Sequence, residues 1–496
     1  VIKKILIVGG GFGGIATALR LRAMGHQVTL LERLDEIGGR AQVFEKDGFL
    51  HDAGPTVITA PYLFDELFEL FDKKLSDYAE FRPLKTWYDF YFHDGKTFSY
   101  QDDVEHTLSE IARFNPDDRS GYLKLLKLSE EIFNVGYLKL AHQSFTSMST
   151  MLKQVPSLIR LKSLSTVYSL VCKFIKDPYL RQVFSIHPLL VGGNPHTTTS
   201  IYTLIHFLER KWGVHFCMGG TGRLVHALKT LMIEEGIDIK TGVDIASIDV
   251  IKNKVVGVTD VTDLHYSADA VVFNGDPAFA YKSLLPKRMP SMSRKPERFT
   301  KFSMGLFVLF FGSKGKTFDN IAHHTIWMGP RYKELLEDIF DHKTLADDFS
   351  LYLHRPTATD PSFAPEGSDS FYALCPVPNL QADIDWNVVG PQLEKRIIQA
   401  LDETILPGIG ETVTASFWMS PEDFRTRYKS EHGAGFSIAP ILTQSAYFRF
   451  HNRDSHFSNL FFVGAGTHPG AGLPGVVSSA KVVESLFMED ASNEVA

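Results

Sequence analysis

Residues 3–33, KKILIVGGGFGGIATALRLRAMGHQVTLLER, constrain this chain more than any other stretch. The short apolar run ILIV (5–8) reads as a buried parallel strand. Gly9, Gly11 and Gly14 follow in GxGxxG spacing, then an amphipathic helix that stops at Gly25. A second strand, QVTLLE, ends on Glu32. The three glycines serve a tight turn, a close backbone approach to a pyrophosphate, and close helix–strand packing. The helix N-terminus offers unpaired N–H groups and about half a positive charge to phosphates. Glu32, eighteen residues beyond Gly14, is placed to accept hydrogen bonds from a ribose diol. A chance turn in a glycine-rich chain would explain the glycines but not the strand, helix and acid around them. The stretch therefore predicts a dinucleotide-binding βαβ unit.

Glu32 does not separate FAD from NAD, because both carry the diol. The next residues do. ERLDEIGGRAQVF places Gly38, Gly39 and Arg40 just past the second strand, beside Glu32 and Arg33. A glycine pair lets backbone pass close to a bound cofactor, and the arginine supplies charge for a pyrophosphate. The run GHxVxLxERxxxxGGR resembles the fingerprint of the flavoproteins that include amine oxidases and protoporphyrinogen oxidase, which implies FAD. Ile15 stands where leucine is more usual in that family.

At 496 residues the chain is long enough for roughly two to four domains of about 150 residues. A net charge of −7 gives no reason to expect nucleic acid as a partner. Cys172, Cys217 and Cys375 are far apart with no CxxC, which indicates neither a disulfide framework nor a zinc site and fits a reducing, cytoplasmic setting. No segment reaches the ~18 apolar residues of a membrane span, and the first apolar run is too short and strand-like for a signal peptide. FSMGLFVLFFG (302–312) reads as a buried strand.

After DAGPTVI (52–58) a helical pattern runs through PYLFDELFELFDKKL. YDFYFHDGKTFSY then alternates about an Asp-Gly turn and reads as a β-hairpin. The glycine-turn, helix, strand order returns in CMGGTGRLVHALKTLMIEEGIDIKTG, followed by paired strands in VDIASIDVIKNKVVGV and a strand in DAVVFNGDP. FSLYLH, SFYALCPVP and TASFWMS read as strands of a large sheet, and NLFFVG (459–464) as a last strand returning to the first unit. The expected fold is α/β: a Rossmann-type FAD-binding domain interleaved with a mixed, largely antiparallel substrate domain and a helical, membrane-facing cap. Residues 1–74, 212–283 and 456–496 are assigned to the first, 75–131 and 284–455 to the second, and 132–211 to the cap.

Within that cap, residues 132–176 contain no Asp or Glu but six basic residues: Lys139, Lys153, Arg160, Lys162, Lys173 and Lys176. A basic, apolar helical stretch suits an anionic membrane surface. The plainer reading is a cap whose charges share one sign. A second basic cluster, 281–301, is proline-rich and reads as a solvated loop.

Further motifs narrow the resemblance. DAGPTVIT (52–59), LLVGGNP (189–195), SIYTLIHFLER (200–210), WGVHFCMGGTG (212–222) and IAHHT (321–325) are similar to bacterial-type phytoene desaturases. So are LTQSAYFR (442–449), HNRDS (451–455) and VGAGTHPGAGLPGVVSSAK (463–481), so that nearly the whole chain is covered. The resemblance implies an FAD enzyme, peripheral to the membrane, that desaturates a long acyclic carotenoid by hydride transfer to the flavin. Oxygen or a membrane quinone would then reoxidise it. It also implies a cofactor set of Gly9, Gly11, Gly14, Glu32, Arg33, Gly39, Arg40, Gly54, Pro55, Thr56, Val57, Val243, Gly464, Gly466, Thr467, Gly475 and Val476. In the late motif, Gly464, Gly466 and Thr467 would meet the ribityl chain and pyrophosphate, Thr467 standing where many flavoproteins carry an acid. Pro474 would stiffen a turn before a final helix starting at Gly475-Val476.

A hydrocarbon substrate has no polar handle, so its site must be a long apolar tunnel, which 38 phenylalanines and runs such as FSMGLFVLFFG can line. Relatives carry an acid and a base near 148–154, where this chain has Ser149, Thr150 and Lys153. His323, His324, Glu209 and Asp348 lie in family-like strings, but no catalytic base and no metal site is assigned. Alternative readings are a diapophytoene or later-step carotene desaturase or isomerase, an oxidase of the same fold acting on an amine or porphyrinogen, and a non-catalytic isoprenoid carrier.

Overall fold

The ILIV run becomes the centre of a five-stranded parallel sheet because both its faces find apolar cover. The computed structural model describes residues 1–141, 143, 163–286 and 299–495. In it, Lys4–Val8 lies between Ala270–Phe273 and Gln27–Leu31, with Leu460–Phe462 and Asp238–Lys240 outside them. Three separate stretches of chain thus build one sheet. Ile5 and Ile7 point to a core shared with the helices Phe12–Ala23, Gly220–Glu234 and Leu473–Val495. Leu6 and Val8 point the other way, against the antiparallel strands Ile245–Ile251 and Lys254–Asp260.

The second layer is a seven-stranded mixed sheet in the order Val413–Met419, Gly305–Ser313, Asp369–Val377, Leu351–His354, His324–Met328, Thr86–Phe92, Thr97–Gln101. Only the His324–Met328/Thr86–Phe92 pair is parallel. All nine residues of Gly305–Ser313 are buried, as the apolar run 302–312 predicts. Phe307, Leu309 and Phe311 pack beneath the helix Trp386–Glu403, while Leu306, Val308 and Phe310 face a different cluster on the opposite side. This alternation gives one strand two jobs, holding the outer helix and walling an inner chamber.

Two sequence-based boundaries move. The helix expected over 61–75 ends at Glu69, and a single 3-10 turn follows at Leu75–Asp77. Between them Asp72 takes a left-handed φ of 56°, a conformation that stops a helix. The final helix begins at Leu473 rather than 475, so Pro474 sits inside its first turn, where the missing N–H costs nothing. The Asp-Gly hairpin forms as expected, with Gly95 at φ 85°.

Of the acid-free stretch, Lys139, Lys173 and Lys176 are described, whereas Lys153, Arg160 and Lys162 lie outside the described residues, as do Ser149 and Thr150. The solvated loop expected within 281–301 also falls largely outside them. Among the described residues no helix is long and apolar enough to cross a membrane.

Candidate functional site

A single cavity of about 610 Å³ runs from the first glycine turn, past the 54–57 loop, into a chamber walled by the seven-stranded sheet. Its polar end is a dinucleotide cradle. Gly9 has φ 103°, and a Cβ there would lie 3.0 Å from the Asn274 carbonyl oxygen. At Gly14 a Cβ would come within 2.1 Å of the Gly9 carbonyl oxygen, so turn and helix can close only on hydrogen. The helix Phe12–Ala23 starts at Gly11 with no side-chain cap and no acid in its first turn, leaving its positive end open to the cavity. Gly39 approaches the same point, its Cβ position lying 3.2 Å from the Gly11 Cα.

Glu32 is almost fully buried, with Oε2 accepting from the Gly10 N–H at 2.6 Å and Oε1 from the Leu34 N–H at 2.8 Å. Burial raises its carboxyl above the ordinary value, and these backbone donors oppose the rise. Arg40 donates to Ser430 Oγ at 2.7 Å and to the Gly435 carbonyl, which anchors it in the wall. Burial lowers its guanidinium from the usual range, and Asp276 works against that. A partly buried cation, an uncapped helix end and a carboxylate held by backbone donors at the far edge fit an adenosine diphosphate moiety.

Most of the expected set meets here. Gly9, Gly11, Glu32, Arg33, Gly39, Arg40, Gly54, Pro55, Thr56, Val57, Val243, Gly464, Gly466, Gly475 and Val476 all line the cavity. Gly14 stands behind the wall, packed on the Gly9 carbonyl. Thr467 is also behind it: fully buried, it donates to the Gly464 carbonyl at 3.0 Å, while its own carbonyl accepts from Arg449 Nε at 2.9 Å. A ribityl contact from the Thr467 side chain therefore has no support in this geometry; the residue holds the loop's shape.

Residues 12–483 match the family of flavin containing amine oxidoreductases. The chain belongs to that family. It is 45% identical over 491 residues to a lycopene-forming phytoene desaturase of Pantoea ananas, covering 99% of this chain and all of the relative. A lycopene-forming phytoene desaturase of Pseudescherichia vulneris is 46% identical, with 99% and 100% covered. Among solved structures, an oxidoreductase from Methanosarcina mazei shares the fold at a TM-score of 0.66 and 18% identity, covering 97% of this chain and all of its own. The chain is therefore a bacterial-type carotenoid desaturase, an FAD-dependent oxidoreductase.

Sequence reasoning missed Asn274 and Asp276, which end the strand Ala270–Phe273. Asn274 Nδ2 donates to the Gly9 carbonyl at 3.1 Å, and its side chain packs into the space left by the side-chain-free Gly11, Gly13 and Gly14. Asp276 accepts from the Glu431 N–H and from Ser437 Oγ; burial raises its pKa and these donors oppose the rise. The small-residue turn in FNGDP was the available signal.

The far end of the cavity is apolar, with Leu306, Val308, Ile326, Met328, Leu336 and Leu374 on its wall. Few polar groups reach it. Thr56 Oγ1 lies 3.0 Å from the Tyr352 hydroxyl and 2.8 Å from that of Tyr372. Glu209 also faces the cavity, its two oxygens held by Tyr88 OH at 2.8 Å and His187 Nε2 at 2.9 Å. Behind the tyrosines, ring nitrogens of His323, His324 and His354 come within 4.8 Å of one another, and burial keeps all three rings below the ordinary histidine pKa. Asp348 does not line the cavity and pairs with Arg331.

Proposed function

We propose that this chain desaturates phytoene to more unsaturated carotenes such as lycopene. The observation carrying the reading is the continuity of one cavity from a dinucleotide cradle into an apolar chamber. FAD held there would supply the acceptor for a hydride from a saturated carbon of an allylic pair. The cradle residues Gly9, Gly11, Glu32, Gly39 and Arg40 would hold its pyrophosphate and ribose, and the first turn of Leu473–Val495, with Gly475 and Val476, would face the ring system. The few polar groups on the chamber wall are engaged by protein partners, so an amine or porphyrinogen would lose its hydration there with little replacement. A hydrocarbon loses nothing by entering. The protein's part is to align the chain and exclude water.

Such a substrate resides in a bilayer, so we assign residues 132–176 to docking on an anionic surface, with oxygen or a membrane quinone as final acceptor. Diapophytoene, a shorter chain of the same chemistry, is the second reading, because an apolar wall ranks hydrocarbons mainly by length. Enzyme, FAD and liposomes loaded with either substrate should yield a conjugated chromophore, largest with phytoene. Absence of one from both substrates would refute the assignment. Replacing Lys153, Arg160 and Lys162 by Glu should abolish co-sedimentation with anionic liposomes; unchanged binding would remove the surface assignment.

A further inference from the structure

We propose that Tyr352, backed by His324, receives the proton released when the new double bond forms. The inference rests on the desaturase reading and concerns the half of the reaction that hydride transfer leaves open: the adjacent carbon must lose H⁺ inside a chamber with very few acceptors.

Asp276, Glu209 and Tyr352 are three of the titratable groups on the cavity wall, which also carries Tyr372 and His468. Asp276 is occupied by three donors, the N–H groups of Ala278 and Glu431 and the hydroxyl of Ser437, and it lies at the cradle. Glu209 has both oxygens engaged, by Tyr88 and His187. Tyr352 differs. Its hydroxyl is 2.6 Å from His324 Nδ1 and 3.0 Å from Thr56 Oγ1, and Thr56 Oγ1 is also 2.8 Å from the Tyr372 hydroxyl. We assign the phenol O–H to His324 and the Thr56 hydroxyl to Tyr372, which leaves a lone pair on the Tyr352 oxygen. That assignment places the imidazole proton on Nε2, a buried atom with no hydrogen-bond partner among the described residues. His324 is fully buried, and Tyr352 connects it to the cavity.

The rings behind His324 lead to a buried acid. His354 stacks on it at 5.5 Å between centroids and in turn contacts Asp52 Oδ2 at 3.3 Å; the Asp52 carboxylate is itself fully buried. Burial and the neighbouring His354 hold His324 neutral at rest. Neutrality is the requirement, since an imidazolium already formed has no site to give. As the hydride leaves, the positive charge developing over neighbouring double bonds makes the adjacent C–H strongly acidic, so a weak base in the right place suffices and its loss slows hydride departure.

The step balances as follows. One carbon of the pair gives a hydride to FAD. On the adjacent carbon the C–H bond breaks, its electron pair becomes the second bond of C=C, and its proton joins the Tyr352 oxygen. As it does, the original phenolic proton passes to His324 Nδ1. Tyr352 is the catalytic residue here and His324 a positioning and relay residue.

The test mixes FAD-loaded enzyme with phytoene liposomes anaerobically and follows loss of flavin absorbance in a single turnover. Tyr352→Phe should slow that phase by about 100-fold, within the usual range for a lost acid–base group, with flavin content and phytoene binding retained. His324→Gln should slow it by about tenfold, an order-of-magnitude expectation on the same scale. Placing 3,5-difluorotyrosine at 352 preserves shape while weakening the oxygen as a base, and should also slow reduction, which a structural hydroxyl would not. In flavin-free protein, nitrogen-15 histidine spectra should contain one Nε2–H imidazole that shifts on Tyr352→Phe. Reduction within twofold of wild type in both Tyr352 variants would overturn the proposal. So would a stoichiometric metal ion bound through His324 Nε2, because that ring would then have no capacity to accept. A wild-type enzyme inactive on phytoene would instead refute the desaturase reading.

Discussion

The two ends of the cavity are built in opposite ways. The dinucleotide cradle takes its turn, helix and acid from one contiguous run, residues 4–40, whose spacing is fixed by backbone geometry. The cluster of Thr56, Tyr352 and Tyr372 joins residues 296 and 316 positions apart, and it exists only because two sheet strands register side by side. One end is a local object that folding must place; the other is made by folding. Damage to the cradle should therefore remove the cofactor outright, whereas damage to the chamber should leave a loaded but slow enzyme.

The largest expected effect is at Gly14. A Cβ there would lie 2.1 Å from the Gly9 carbonyl oxygen, and backbone cannot yield as a side chain can. Gly14→Val should force the helix Phe12–Ala23 off its turn at a cost of about 3 kcal/mol, the upper range for overpacking. Purified protein should carry no flavin absorbance and should melt at lower temperature. A normal flavin-to-protein ratio would show that the turn tolerates a shift and that the cradle is not set by backbone contact.

The matching change in the chamber is smaller. Leu374 lines the cavity from the strand Asp369–Val377. Leu374→Gln places an amide on a mainly apolar wall, at a cost of about 1–3 kcal/mol. Product formation should fall by at least about tenfold, while flavin content stays at the wild-type ratio. If the variant emptied of flavin as Gly14→Val does, the two ends would not be separable.

The same contrast explains what the sequence made legible. The parallel sheet, its glycine turn, the hairpin at Asp94-Gly95 and the buried strand 305–313 all follow from periodicity and turn chemistry within short windows. Fifteen of the seventeen expected cofactor residues line the cavity, and the two that do not, Gly14 and Thr467, support it from behind. Asn274 escaped because its role is to fill space that glycines of a distant segment leave open, a fact visible only once the strands Lys4–Val8 and Ala270–Phe273 pair. Tyr352 escaped for the same reason. FSLYLH shows alternation but not which hydroxyl will meet Thr56, since the 54–57 loop arrives from the other sheet's side of the molecule. His324 was noticed in IAHHT, yet a lone histidine has no chemistry until its partner at 2.6 Å is known.

The smallest effect probes whether the cradle acts purely through shape. Glu32 is a titratable group inside it, and burial lifts its carboxyl above the ordinary value of 4.5. Ribose hydroxyls donate to the carboxylate and not to the acid's own O–H, so FAD favours the deprotonated form. Affinity should then be constant at pH well above the raised pKa. It should decline as pH falls through that value, by at most roughly tenfold per unit for one linked proton. The direction follows because binding lowers the Glu32 pKa, and acid opposes whatever lowers it. Glu32→Gln should bind FAD more weakly at neutral pH but with a flat profile, as the amide does not titrate. Flavin fluorescence, quenched on binding, measures both curves. If wild type and Glu32→Gln fell in parallel on acidification, some other group would carry the dependence, and the cradle's hold on the ribose would rest on backbone geometry alone.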